Sequence, residues 1–106
     1  MISLLAGIIV AHLSLETPFA RHTLAVTDHV HLIYRSFSST EPPFEGNVEV
    51  IEQSDGLVVV DAGGSPLSGR LVVNEIRKLS KKPVKYLLYT HYHGDHNLGA
   101  GAFRAA

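Results

Sequence analysis

The chain contains no cysteine. Disulfides and thiolate metal sites are therefore excluded, and any metal must be held by imidazole nitrogen and carboxylate oxygen, a ligand set suited to zinc, iron or manganese. Charge excess is also lacking: nine Lys and Arg stand against ten Asp and Glu, a formal net charge of −1. Nucleic-acid binding normally shows as a strong basic excess, so no nucleic-acid partner is expected. The one basic cluster, Arg77, Lys78, Lys81, Lys82 and Lys85, has no aromatic stacking residues beside it. It reads as cations complementing a helix C-terminus rather than as a phosphate-binding patch. No apolar run has membrane length either. Met1 to Leu15 comes nearest, but it is short and broken by Ser3, Gly7, His12 and Ser14, so no membrane span is expected.

That N-terminal run looks like the apolar region of a secretory signal, with a cut after Ala20 or Ala25; the alternative is a packed N-terminal helix. Residues 1–20 are thus read as a signal peptide, which implies a periplasmic or secreted protein, with the cytoplasm as the other reading. A chain of 106 residues holds one domain at most. Residues 26–106 are read as a partial one.

From Val26 onward the pattern is regular. Val30, Leu32 and Tyr34 alternate with His29, His31, Ile33 and Arg35, which predicts a half-buried strand with the first set inward. Ser36 to Gly46, with Pro42-Pro43, reads as a loop. Val48 and Val50 begin a second strand, and Ser54-Asp55-Gly56 turns into Leu57-Val58-Val59-Val60, an apolar run expected to be buried on both faces. A helix is predicted over Leu67 to Ser80, with Leu67, Leu71, Val72, Ile76 and Leu79 as its apolar stripe. Pro83 stops it, and Val84 to Tyr89 reads as another buried strand. The succession of strands, helix, strand and loop predicts an α/β layer, a sheet with helices on one face.

The last strand runs into Thr90-His91-Tyr92-His93-Gly94-Asp95-His96, which packs four metal-ligand side chains into six residues. In extended chain His91 and His93 project to one side, so two imidazoles could grip one ion at about 2.0–2.1 Å. Gly94 permits a sharp turn, after which Asp95 and His96 could address a second ion. His12, His22, His29 and His31, by contrast, read as ordinary surface or core histidines.

The segment resembles the His-x-His-x-Asp-His motif of the metallo-β-lactamase-fold superfamily. Val58-Val59-Val60-Asp61-Ala62-Gly63 is similar to that family's apolar strand ending in Asp-x-Gly, and Gly46-Asn47-Val48 to its earlier Asn-containing strand. The resemblance covers about Val26 to Phe103 and implies the N-terminal half of an αββα sandwich. It implies that His91 and His93 bind a first zinc ion and that Asp95 and His96 bind a second. Asp95 would also position the attacking water, which makes it the catalytic residue. Asp61 would orient the ligands from beneath the loop; its alternative reading is a helix N-cap or turn residue. The activity implied is hydrolysis of a small-molecule ester, thioester, lactone, lactam or phosphodiester. Two other readings stay open: a non-catalytic half-domain or association module, and a member of the fold that uses one iron to oxidise thiols. In the family the remaining ligands come from the second half of the fold. A single half would leave the inner face of its sheet exposed, and self-association through that face is expected.

Overall fold

A computed structural model describes residues 20–35 and 45–106. The apolar N-terminal run, His12 and most of the loop after Arg35 lie outside the described residues. Five strands form one sheet in the order β1-β2-β3-β4-β5: β1 (Arg21–Ala25), β2 (Val30–Arg35), β3 (Val48–Glu52), β4 (Leu57–Val60) and β5 (Val84–Leu88). The first four pair antiparallel; β5 pairs parallel to β4, and α1 (Pro66–Leu79) makes the crossover between them. Then come α2 (Gly94–Asn97) and a 3₁₀ helix (Ala100–Ala105).

The limits of α1 follow from local chemistry. Ser65 caps it, its hydroxyl accepting from the Ser68 N–H at 3.0 Å, and Pro66 occupies the first turn, where a missing N–H costs nothing. At the far end the Ser80 N–H donates to the Ile76 carbonyl at 2.9 Å. Arg77 and Lys78 lie in the last turn, and Arg77 also donates to the Lys82 carbonyl. The basic cluster is therefore spent on the helix end and on local pairs: Lys82 meets Glu52, and Lys85 meets Asp55.

The core lies between the sheet and α1. Ile33, Val48, Val50, Leu57 and Val59 point from the strands toward Val72 and Ile76 of the helix and Phe103 of the 3₁₀ helix. Burying each such side chain is worth about 1.5–3 kcal/mol. Three expectations need correcting. On β2 the buried residue is Ile33, not the Val30-Leu32-Tyr34 set, because α1 covers the face on which Ile33 lies. On α1 the buried stripe is Ser68, Gly69, Val72 and Ile76, whereas Leu67 is exposed. β4 and β5 are not buried on both faces: Val58 and Val60 are half-buried, and Tyr86 and Leu88 are 60% and 50% exposed. Among the described residues, no helix lies over the other face of the sheet, which carries Leu24, Leu32, Tyr34, Ile51, Val58, Val60, Tyr86 and Leu88. β1 was not foreseen as a strand, yet it pairs with β2 from Arg21↔Arg35 to Ala25↔His31.

Candidate metal centre

The loop after β5 is drawn back onto the sheet by backbone hydrogen bonds. The Asp61 N–H donates to the Leu88 carbonyl and the Ala62 N–H to the His96 carbonyl, each at 2.8 Å. The Gly46 N–H donates to the Asp95 carbonyl, and the Gly99 N–H to the Gly63 carbonyl. Two glycines make this closeness possible. A Cβ on Gly99 would lie 2.0 Å from the Ala62 carbonyl oxygen, and one on Gly69 would lie 2.1 Å from that of Gly99. Helix, the loop after β5 and the turn after β4 therefore stack backbone on backbone, which any larger residue would prevent.

Asp61 is the hub. It is 4% exposed and adopts φ 67°, a left-handed conformation that Asp tolerates better than most residues. Its carboxylate accepts from the Thr90 N–H at 2.8 Å, the Thr90 hydroxyl at 2.8 Å and His96 Nδ1 at 2.8 Å. Burial pushes its carboxyl up, but the Thr90 N–H, His96 and the Thr90 hydroxyl outweigh that and hold it below the usual carboxylate range. The N-cap alternative is ruled out, since Ser65 caps α1. Thr90 received no role in the sequence reading, although it stands first in the quoted motif.

These bonds settle the tautomers. The single Thr90 hydroxyl proton goes to Asp61, so the hydroxyl oxygen accepts from His91 Nδ1 at 2.9 Å, leaving a lone pair on His91 Nε2. His96 Nδ1 donates to Asp61, and its Nε2 lies 3.1 Å from an Asp95 carboxylate oxygen. Two acceptors that close are held together by a proton or a cation. The four expected ligands are neighbours: the His91 ring centroid is 4.7 Å from that of His93 and 4.2 Å from that of His96. Among the described residues, however, no three His, Asp or Glu side chains are arranged to hold one ion. The His91 and His93 rings stand at 81° to each other, and His96 is engaged with Asp95. The donor chemistry fits a divalent cation, but the donors are gathered in pairs rather than focused on one point.

The other described histidines are His22, His29 and His31. His22 lies against the Tyr34 ring at 5.5 Å, and His29 sits in the exposed β1–β2 turn. His31 Nδ1 is buried without a hydrogen-bond partner. No helix among the described residues is long and apolar enough to cross a membrane.

Comparison with known proteins decides the family. The family model for the metallo-beta-lactamase superfamily matches residues 42–106, more than half of the sequence. The chain belongs to the metallo-beta-lactamase superfamily. A linear primary-alkylsulfatase from a Pseudomonas species is 48% identical over 54 residues, covering 51% of this chain and 10% of that protein. Among solved structures, a metallo-beta-lactamase from Pseudomonas aeruginosa in its mono-zinc form superposes with a TM-score of 0.67 at 21% identity, over 81% of this chain and 38% of its own. One from Hirschia baltica gives 0.61 at 22% identity, over 81% and 40%. A B3 metallo-beta-lactamase with an active-site glutamic acid gives 0.59 at 22% identity, over 85% and 36%. Likenesses at that identity establish the fold. This superfamily member thus spans at most two fifths of the solved structures it resembles and a tenth of the curated sulfatase.

Proposed function

We propose that this chain carries the metal loop of a zinc-dependent hydrolase, with His91, His93, Asp95 and His96 as ligands and Asp61 and Thr90 orienting them. The observation that carries the reading is the orientation of His91 and His96. Each gives its Nδ1 proton to Asp61 or to the Thr90 hydroxyl that Asp61 holds, which leaves Nε2 as the coordinating atom, that of His96 beside the Asp95 carboxylate. When bound, the metal supplies Lewis acidity, bringing the pKa of water toward about 7 and polarising the bond to be cleaved. This chain's residues do the rest: Asp61 holds both imidazoles in the coordinating tautomer, and Asp95 offers a carboxylate within reach of a water and of His96. A full centre needs about three protein ligands per catalytic ion, so two ions require donors beyond these four, contributed by further polypeptide of the intact protein. One iron in place of zinc is the alternative, and metal analysis of purified protein separates the two.

The substrate is read as a small molecule bearing a hydrolysable ester-like bond. The alkylsulfatase relative favours a sulfate ester ahead of thioesters, lactones, lactams and phosphodiesters, since it shares far more sequence with the chain than the lactamases do. We assign residues 1–20 to an export signal cleaved after Ala20, which leaves β1 intact; a cut after Ala25 would remove that strand. The domain proper then starts at β1 rather than Val26. The uncovered sheet face is where the chain associates, with further polypeptide of the intact protein or with a second copy.

Calorimetry with Zn²⁺ tests the ligand assignment. The chain should bind zinc, and the His91→Ala/His93→Ala double variant should lose that binding. Unchanged affinity in the double variant would overturn the assignment.

A further inference from the structure

A buried polar cluster adjoins the backbone on which the His96 ring lies. Arg21, the first residue of β1, forms an ion pair with Glu45, and its guanidinium donates to the Ser68 hydroxyl at 2.9 Å. The Ser68 hydroxyl in turn donates to the Glu45 carboxylate at 2.6 Å. The Arg21 side chain is 4% exposed, and Ser68 is buried on the inner face of α1. Three segments distant in sequence, the start of β1, the approach to β3 and the first turn of α1, thus meet at one point.

Both supports of His96 adjoin that point. Glu45 immediately precedes Gly46, whose N–H donates to the Asp95 carbonyl at 3.1 Å. A Cβ on Gly46 would fall 2.5 Å from Cε1 and 2.6 Å from Nδ1 of His96, so the imidazole lies directly on this backbone. Ser68 is also wedged against the turn that follows Asp61. A Cβ on Gly63, which has φ +85°, would sit 2.3 Å from the Ser68 hydroxyl oxygen. Asp61 then holds His96 Nδ1. Displacing Glu45 or Ser68 therefore moves the surface under the ring, the carboxylate beside it, or both.

A buried ion pair is a poor way to gain stability, because desolvation offsets most of the attraction and an apolar cluster would pack as well. What it does supply is fixed geometry between three chain segments. We infer that Arg21, Glu45 and Ser68 are positioning residues for the metal loop, setting the pose of His96 and of the Asp95 backbone without touching the ion. This rests on the reading of His91 to His96 as metal ligands.

The test uses the whole chain and three measurements: histidine ring ¹H–¹⁵N spectra without metal, Co²⁺ titration followed by absorbance, and thermal unfolding. Glu45→Gln should shift the His96 ring signals while leaving those of His93 in place. It should also weaken Co²⁺ binding by about tenfold or more, as loss of supporting contacts around a ligand does elsewhere. Glu45→Asp, which keeps the charge, should recover part of that loss. Gly46→Ala, acting directly on the ring, should reproduce the His96 shift. Should Glu45→Gln fail to fold, Ser68→Ala leaves the ion pair in place and carries the same comparison. An unmoved His96 signal in a folded Glu45 or Ser68 variant overturns the inference. So does a loss of Co²⁺ affinity that only tracks lowered thermal stability. If the unmodified chain binds no Co²⁺, the metal reading fails separately, and the metal-free spectra still decide whether the cluster sets the ring.

Discussion

Replacing Asp61 by Asn keeps the shape of the hub and removes its charge. Asn tolerates the φ of 67°, so backbone strain should not change. The amide oxygen can still accept from the Thr90 N–H, because the reverse orientation would set two donors face to face. The amide nitrogen then occupies the place of the carboxylate oxygen that faces the Thr90 hydroxyl and His96 Nδ1. A donor there requires an acceptor opposite. His96 must move its proton from Nδ1 to Nε2, while the Thr90 hydroxyl can still donate to the amide oxygen, which takes the place of the carboxylate oxygen at 3.1 Å, so His91 keeps its proton on Nδ1. The substitution thus switches His96 to the tautomer that cannot coordinate through Nε2. Hydrogen bonds to a charged group are worth about 1.5–3 kcal/mol and neutral ones about 0.5–1.5 kcal/mol. Three are downgraded, and relief of carboxylate desolvation returns part of the loss, so the fold should lose about 1–3 kcal/mol. Metal affinity should fall more steeply, by about 10–100-fold. Histidine ¹⁵N spectra read the tautomers, urea unfolding reads the stability and Zn²⁺ calorimetry reads the affinity. Retention of Nδ1–H on His96 in a folded Asp61→Asn variant, with zinc affinity unchanged, would refute this account of the hub.

The same carboxylate predicts a pH dependence. Because the Asp61 carboxyl is held below its ordinary value when folded, its contribution is complete above about pH 4 and is lost as pH falls through the lower folded value. Urea midpoints measured down the acid range should fall less steeply in Asp61→Asn than in the parent chain. Gly69→Ala sets a methyl group against the Gly99 carbonyl and should cost about 1–3 kcal/mol despite better helix propensity; a midpoint equal to or above that of the parent would show that the backbone stack yields. Leu24→Lys with Leu88→Lys places charges on the uncovered sheet face. Sedimentation velocity should show less self-association in this variant, and an unchanged distribution would mean that the face is not the contact.

Much of the fold was legible because local chemistry determined it. The Ser54-Asp55-Gly56 turn and the alternation of Val48 and Val50 each carry their own physical signal, and each lies where the pattern put it. The cluster of potential donors His91, His93, Asp95 and His96 was likewise readable, since four such side chains within six residues stand out in the sequence itself. β1 was not foreseen, because Arg21 to Ala25 is short, weakly apolar and adjoins a segment that reads as a leader. The burial of Ile33 rather than Leu32 was also invisible: alternation shows that a strand has two faces but not which one a helix will cover.

The sequence by itself determined the donor chemistry, the α/β order and the family, because these rest on residue identity and spacing along the chain. Only the tertiary structure decided that Asp61 serves Thr90 and His96 rather than capping a helix, and that Gly46, Gly69 and Gly99 are points of backbone contact. It also decided that Arg21 meets Glu45 and Ser68, which lie far from it in the chain. Those facts depend on which distant segments meet, and a glycine or a carboxylate acquires its role from the neighbour that folding brings to it.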